Sequence, residues 1–559
     1  MHRDHDDPDP GFNPKIYVPN RLFQPPRANP FVEAKLALCL AQLRSNDWTL
    51  RRSSNLNSSQ RHLLKSLVHA PHLKVLMTDK NLGPALMTHQ QYVDFCLDHL
   101  LDPEIYKPIY RARTDVEAQL KLVVAAFHSS ALRRYGEMSD LKIVIYQLPL
   151  KRLNRFYALA KIHKPQLAPR PIISNANSIL QGLSSWLDFK LQPYLHSTSS
   201  YLKDSTSLIS ELSSITLTPT QHLITFDIQT LYTSIDVKSA LVRIRSVIRA
   251  DPHADIIMEG LQRVLFLNYF EFGDTIWKQI NGCAMGTAVA PTFVSLYLAS
   301  VEDAVIFPRF RANLSSYKRY IDDGFFLWDS DPTQPCQLPS LFAAFSQATT
   351  LKFTHTISRT TCDFLDLVVY RMNDELRFRT HQKPLNLYLY LPPHSAHPPG
   401  VLKGMIYGLV QKYRVQNTAD EDFRAIVQLL FKRLLHRGHK FDTLVSLFNS
   451  AVARLDQARS ELKTTKIFFK IQYDPNGPSR QQLRDCLRLD ELQPLLKRPE
   501  STQLVLCYQR PPTLRSQLCK TSLATDRFPT PADRLITRML HEMNGTGVGN
   551  KTQNPETQN

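Results

Sequence analysis

No stretch of this 559-residue sequence approaches the ~18 uninterrupted apolar residues that a membrane-crossing helix needs. Met1-His2-Arg3-Asp4-His5-Asp6-Asp7 lacks the apolar core of a secretory leader, so neither secretion nor a membrane is expected. The eight cysteines (Cys39, Cys96, Cys283, Cys336, Cys362, Cys486, Cys507 and Cys519) include no Cys-x-x-Cys pair. That spacing argues against a zinc site or a disulfide framework and for a reducing compartment. Acidic residues are in deficit: 50 Asp and Glu face 68 Lys and Arg, giving a net charge of +18 and a pI near 9.5. A basic excess of this size calls for a polyanionic partner, usually nucleic acid. No basic amphipathic helix points to a membrane surface instead, and no internal repeat is evident.

What is present describes an ordinary globular chain, 43% hydrophobic and 21% charged, long enough for several subdomains. Residues 1 to about 30 are rich in Pro, Asp and Asn and read as a disordered or extended arm. A helical pattern from Phe31 to Leu67 is broken by the Ser/Asn stretch Ser53 to Ser59. Lys74-Val75-Leu76-Met77 reads as a strand entering a loop, Thr78 to Pro84, and residues 86 to 135 read as largely helical. Phe156 to Pro165 and Arg170 to Ser174 form a two-stranded ribbon carrying cations. Strands and helices then alternate from about residue 206 to 375. Thr418 and Glu421 form a capping box before a 3.6-period run through Phe423, Ile426, Val427, Leu430 and Leu434. Gly438 stops that helix, a second starts near Phe441, and Ala532 to Met543 form a last one before a polar tail.

Chemistry concentrates in a few places. Tyr320-Ile321-Asp322-Asp323-Gly324, followed by Phe325-Phe326-Leu327-Trp328, reads as a hairpin whose turn presents two acids. A third acid, Asp227, ends the apolar strand Leu223-Ile224-Thr225-Phe226. Three carboxylates at the ends of neighbouring strands make a cage for hard divalent cations. Tyr232, five residues beyond Asp227, is either a core aromatic or a ring lying under the sugar of a nucleotide. Asp236 can cap a helix starting at Val237. Asn281 to Pro291 is a small-residue loop, including Met285 and Gly286, with Pro291 in the first turn of a helix. Lys161, Lys164 and Arg170 suit a triphosphate clamp. Lys352 is either a surface lysine or a proton donor to pyrophosphate.

In order and spacing these elements resemble the Penelope-like element reverse transcriptases, relatives of the telomerase reverse transcriptases. The resemblance covers roughly residues 70 to 520 and rests on Thr78-Asp79-Lys80-Asn81-Leu82-Gly83-Pro84, Lys161-Ile162-His163-Lys164-Pro165, Arg170-Pro171-Ile172-Ile173-Ser174 and Phe226-Asp227-Ile228. It continues through Met285-Gly286-Thr287, Tyr320-Ile321-Asp322-Asp323 and Phe364-Leu365-Asp366-Leu367. Lys383 to Leu389 and Ser395 to Pro398 resemble that family's entry into the thumb, and Tyr508 to Leu514 its boundary beyond the thumb. Many reverse transcriptases have Gln-Gly where this chain has Met285-Gly286. The GIY-YIG nuclease domain common in the family is not expected here, because only about 40 residues follow position 520.

The resemblance implies an α+β right-hand polymerase. Residues 1–62 would be an N-terminal arm, partly disordered and then helical. Residues 63–205 would be fingers with an N-terminal helical region, 206–375 the palm, and 376–500 a helical thumb. Residues 501–559 would be a boundary segment and disordered tail. The implied activity is an RNA-directed DNA polymerase, with an RNA template, a DNA primer, dNTPs and two Mg²⁺ ions that Mn²⁺ can replace. Asp227, Asp322 and Asp323 would be catalytic and metal-binding. Lys161, Lys164, Arg170, Tyr232, Met285 and Gly286 would bind the nucleotide, and Phe364, Leu365 and Asp366 would support the primer. A nuclear location and a separate nuclease or host factor for DNA integration follow from the family. Two alternatives stay open: an RNA-directed RNA polymerase, and a catalytically silent nucleic-acid-binding protein.

Overall fold

The computed structural model describes residues 30–45, 55–330, 337–455, 465–487, 502–523, 526 and 529–545. The expected N-terminal arm up to residue 29, the first two residues of the Ser/Asn break (Ser53 and Ser54), Cys336 and the polar tail beyond 545 lie outside them. Five strands precede the first acid: β1 (Leu73–Met77), β2 (Pro84–Thr88), β3 (Tyr106–Pro108), β4 (Asn154–Lys161) and β5 (Ala168–Ser174). The middle of the chain adds β6 (Gln221–Gln229), β7 (Tyr269–Phe272), β8 (Thr275–Gln279), β9 (Leu314–Tyr320), β10 (Asp323–Asp329) and β11 (Lys352–Ser358). After these come β12 (Thr361–Phe364), β13 (Leu367–Met372), β14 (Glu375–Thr380), β15 (Thr465–Gln472) and β16 (Thr502–Gln509).

The central sheet runs β11-β6-β10-β9, antiparallel throughout. Alternation decides which side chain goes where. Ile224, Phe226 and Ile228 of β6, with Phe326 and Trp328 of β10, face the main core. Behind that face lies an apolar helical rod, Ala290–Phe310, long and apolar enough to cross a membrane, yet with 67% of its apolar window buried inside the molecule. Leu223, Phe325 and Leu327 face the other way, under the small sheet β12-β13-β14. Asp236 caps the helix Val237–Val247, its carboxylate accepting from the Lys238 amide at 3.0 Å.

The basic ribbon β4–β5 does form, but as the edge of a five-stranded sheet ordered β3-β8-β7-β4-β5. Its β7 and β8 come from the range expected for the palm, so residue 205 is not a clean boundary. Residues 84–88, expected to lead into helix, instead pair with β1 in register Leu73↔Thr88 to Met77↔Pro84.

Beyond the small sheet, helices Val401–Gln416, Asp420–His436 and Phe441–Ala453 pack around Ile406, Val410, Leu430, Leu434 and Leu444. Gly438, with φ 92°, ends the second of these, as the left-handed stop of a helix requires. The expected capping box is absent. Ala419 occupies the cap position, and the Thr418 hydroxyl instead accepts from the Phe378 amide of β14 at 2.9 Å. The segment 376–500 is therefore not helical throughout, since it opens in β14 and contains β15.

Residues past 501 are also more than a boundary strip. β16 pairs in parallel with β15, and the helix Pro531–Gly545 docks on the fingers. There Arg534 forks onto Asp94 at 2.8 and 2.9 Å, and Leu535 enters the core of Tyr92, Phe95 and Phe272.

A candidate polymerase active site

The acids are placed by backbone register. Asp323, first residue of β10, stands directly opposite Asp227 of β6, and Asp322 lies in the two-residue turn between β9 and β10. Its carbonyl accepts from the Ile228 amide at 3.1 Å, tying the turn to the strand that carries Asp227. The turn is two residues earlier than the Asp323-Gly324 hairpin signal implies: its residues are Ile321 and Asp322, and Ile321 takes a φ of 58°. A β-branched residue in that region is strained.

Gly324 has a different use, inside the strand. A Cβ there would fall 2.0 Å from the ring of Phe226, its cross-strand partner. The missing side chain lets the Phe226 ring lie across β10 among Tyr317, Phe326, Phe342 and Phe353.

The turn is held from behind by a buried ion pair that the sequence reading did not identify. Arg319 and Glu302 side chains are 2% and 0% exposed, with Nε 2.5 Å from Oε1. The guanidinium also donates to the carbonyls of Ile321 (3.0 Å) and Ser295 (2.9 Å), and the Tyr317 hydroxyl donates to Glu302 (2.9 Å). Burial alone disfavours the charge on Arg319, but Glu302 more than offsets it and the pKa rises. Arg319 thus braces the strained turn against the helix Ala290–Val301.

Electrostatics mark the acid cluster as crowded. Burial raises the Asp227 pKa, and Asp322 adds to the rise. Asp323 is raised from 3.8 to about 6 by burial first, then by Asp322 and Asp227. Lys80 opposes both shifts, joined by Lys164 at Asp227 and by Lys383 at Asp323. Among the described residues no three His, Cys, Asp or Glu side chains converge into a closed ligand set. The donors are nonetheless hard carboxylate oxygens, which suit Mg²⁺, and their mutual repulsion is the field a divalent cation relieves.

On the fingers side, Arg170 pairs with Asp79 at 3.3 Å, and the Asp79 side chain is only 7% exposed. Asp79 sits in the β1–β2 loop, which lies beside β4 through the bridge Thr78↔Ala160. Lys161 has its pKa lowered by burial first and then by Arg170, so these two cations are neighbours. Lys80 and Asn81 follow with φ 58° each, in the left-handed region. The small-residue loop is locked to the same ribbon. Ile173 N–H donates to Met285 O at 2.8 Å, and a Cβ on Gly286 (φ 118°) would fall 2.5 Å from Ile173 O.

Tyr232 lies in the helical turn Leu231–Ser234 after Thr230, itself left-handed at φ 49°. Its ring packs partly buried against the main core, and burial pushes the hydroxyl pKa up, with Cys283, Asp322 and Tyr320 adding to the rise. The structure thus shows Tyr232 as a packed aromatic whose hydroxyl feels the charge of Asp322.

The primer-side residues divide. Leu365, at φ 56° in the β12–β13 turn, and Asp363 line a cleft shared with Asp227, Asp323 and Thr354. Phe364 does not stand free: its ring is 4% exposed and packs on Phe325 at 5.7 Å. Asp366 is fully engaged, bonded to Lys412 Nζ (2.5 Å), Gln416 Nε2 (2.8 Å) and the Ser205 hydroxyl. Burial pushes its carboxyl up, but those hydrogen bonds outweigh it and hold the pKa below the usual range. Asp366 anchors a thumb helix to the palm rather than reaching into the cleft. Lys352 pairs with Gln229 at the start of β11, exposed and two residues along the strand from Thr354, the partner of Asp227.

Lys80, Asp79, Lys383 and Arg319 are the site residues the sequence reading passed over. The first three lie in stretches already singled out, but nothing in a linear motif says which side chain turns toward the acids. Asn81 and Asn386 join the two stretches, Nδ2 to Oδ1 at 2.9 Å.

An antiparallel sheet carrying acids at one end, between a basic β-ribbon and a three-helix bundle, defines the α+β right-hand polymerase fold. Solved structures with a partial likeness include telomerase from Candida albicans in complex with a fragment of telomeric RNA: 10% identity, TM-score 0.48, covering 74% of this chain and 70% of that one. A C-terminally truncated apo telomerase from Candida tropicalis is 10% identical with TM-score 0.39, covering 54% of this chain. This chain spans 63% of that protein's length, less than two thirds. An insertion-loop deletion mutant of a human picobirnavirus RNA-dependent RNA polymerase is 10% identical with TM-score 0.40, covering 76% and 89%. No protein-family model and no curated protein sequence matches the chain.

Proposed function

We propose that the chain is an RNA-directed DNA polymerase of a Penelope-like retroelement, adding dNTPs to a primer 3′-hydroxyl on an RNA template. The observation that carries this reading is the cross-strand pairing of Asp227 with Asp323, with Asp322 in the adjoining turn and Tyr232 beside it. Asp227 and Asp322 would hold two Mg²⁺ ions, which Mn²⁺ could replace, and Asp323 would complete the acidic cluster. Bound divalent cations supply a lowered pKa for the primer hydroxyl and charge neutralisation for the leaving pyrophosphate.

The chain's own residues do the rest. Lys161, Lys164 and Arg170 hold the triphosphate, with Asp79 orienting the guanidinium. Met285 and Gly286 let the backbone lie flat beside the nascent base pair. Tyr232 excludes a 2′-hydroxyl by bulk. Leu365 borders the primer terminus, and the three helices beyond Gly400 grip the duplex. A nuclear location, with a separate nuclease or host factor opening the target, is part of this proposal and rests on the family resemblance alone.

Primer extension on an RNA template, with dNTPs in one arm and rNTPs in the other, tests the reading. Extension with dNTPs supports it, and preference for rNTPs identifies an RNA-directed RNA polymerase. Template binding with extension by neither, in Mg²⁺ or Mn²⁺, identifies a silent nucleic-acid-binding protein.

A further inference from the structure

Two cysteines 447 positions apart meet at the back of the molecule. Cys39 lies on the helix Pro30–Ser45 and is 3% exposed, and Cys486 lies near the end of the helix Arg480–Leu487, half-buried. Their sulfurs are 2.6 Å apart, well inside ordinary contact, and Cys486 Sγ is 3.3 Å from the Cys39 carbonyl. Cys96, Cys283 and Cys362 are free and buried elsewhere in the fold. The absence of a Cys-x-x-Cys spacing therefore excludes only a local pair, because this one is made by the tertiary structure.

We propose that Cys39 and Cys486 are a modification site, an oxidisable pair that closes to a disulfide and staples the N-terminal helix to the C-terminal unit of β15, β16 and the helix between them. The two thiols have unequal roles. Cys39 is the more buried, and its pKa is raised to about 12, by burial first and then by the hydrogen bond and charge of Cys486, so it stays protonated. Cys486 is the sulfur that an oxidant reaches. With hydrogen peroxide as the oxidant, the Cys486 sulfur takes one oxygen to become a sulfenic acid, and the peroxide's other oxygen leaves as water. Cys39 sulfur then displaces the hydroxyl from Cys486, and its proton leaves with that hydroxyl as a second water. The sum is two thiols and one peroxide giving one disulfide and two waters, and a dithiol reverses it.

The site is independent of the polymerase reading, since neither cysteine has a role in it. The full chain is treated with a small excess of hydrogen peroxide, blocked with iodoacetamide, digested and mapped by mass spectrometry. The expected result is one linked peptide pair, Cys39 to Cys486, lost on treatment with dithiothreitol. On non-reducing electrophoresis the linked chain runs faster, because a loop of hundreds of residues is closed. Cys486→Ser removes the link and leaves Cys39 alkylated; Cys39→Ser removes it and leaves Cys486 as a sulfenic acid that dimedone traps. The proposal is overturned if both peptides of the wild-type chain stay unlinked after peroxide. Linkage of Cys486 to Cys507 or Cys519 as often as to Cys39 overturns it equally. Mapping the wild-type chain decides the matter even if a serine variant fails to fold.

Discussion

At the scale of single residues, the acid cluster makes the sharpest expectations. On the proposed function, Asp322→Asn would remove a metal ligand while leaving the basic surface intact, so extension should fall on the order of 10³-fold, a loss of several kcal/mol, while template binding holds. Steady-state extension and filter binding on the same protein separate the two, and an unimpaired Asp322→Asn enzyme removes the acid from the site. Asp323 carries a pH signature. Its folded-state pKa is raised from 3.8 to about 6, so the folded chain binds this proton more tightly than the unfolded one. The contribution of this one carboxyl to stability is therefore greatest below 3.8 and is lost as pH rises to about 6. Asp323→Asn should raise the melting temperature near neutral pH in metal-free buffer, with the gain vanishing as the pH falls below 3.8; melts at the two ends of that window check it. Tyr232→Ala should admit ribonucleotides while keeping some dNTP incorporation, read as the dNTP to rNTP ratio of kcat/KM. Each ~1.4 kcal/mol of lost exclusion is tenfold in that ratio.

The juxtaposition of Asp227, Asp322 and Asp323 was legible in the sequence because they sit at the ends of apolar runs whose strand character is plain. Arg319 and Asp79 were not, since each acquires its meaning from a partner elsewhere in the chain. For Arg319 that is Glu302, and for Asp79 it is Arg170, a different strand altogether.

Among elements, the hairpin of β9 and β10 shows where pattern reading succeeds and where it stops. Alternation fixed the faces of the two strands, whereas the turn's position depended on Gly324, whose glycine serves Phe226 rather than the turn. Gly324→Ala should cost about 1–3 kcal/mol or more as an overpacked contact and displace the hairpin that carries Asp322 and Asp323. Urea unfolding with a parallel extension assay tests this, and wild-type behaviour in both would show that Phe226 can move aside. Arg319→Ala leaves Glu302 buried and uncompensated, a loss of about 3–5 kcal/mol. Glu302→Gln, which keeps an acceptor in place, should cost less in the same measurement. The missed strands β2, β15 and β16 share one cause: each is stabilised by a partner whose proximity no local pattern encodes, β2 by β1 and β15 by β16 in parallel.

Taken whole, the molecule is a basic scaffold around an acidic centre. With a net charge of +18, primer–template affinity should fall steeply with salt, log K declining linearly with log salt as condensed counterions are released. A flat titration would mean that the charge is spread away from the nucleic-acid path. Domain edges are not legible in the sequence, because the five-stranded sheet takes β7 and β8 from beyond the first acid and the chain's last described helix returns to that sheet's core.

That return sets a timetable. The fingers core contains Tyr92, Phe95 and Phe156, all made early, yet it is completed by Leu535, and Asp94 waits for an arginine 440 positions downstream. At ~5–20 residues per second of translation, the interval between the two is on the order of tens of seconds. Throughout it the side of the fingers core that Leu535 covers lies open, so a nascent chain that has not reached residue 535 is expected to be more protease-sensitive there than the finished protein.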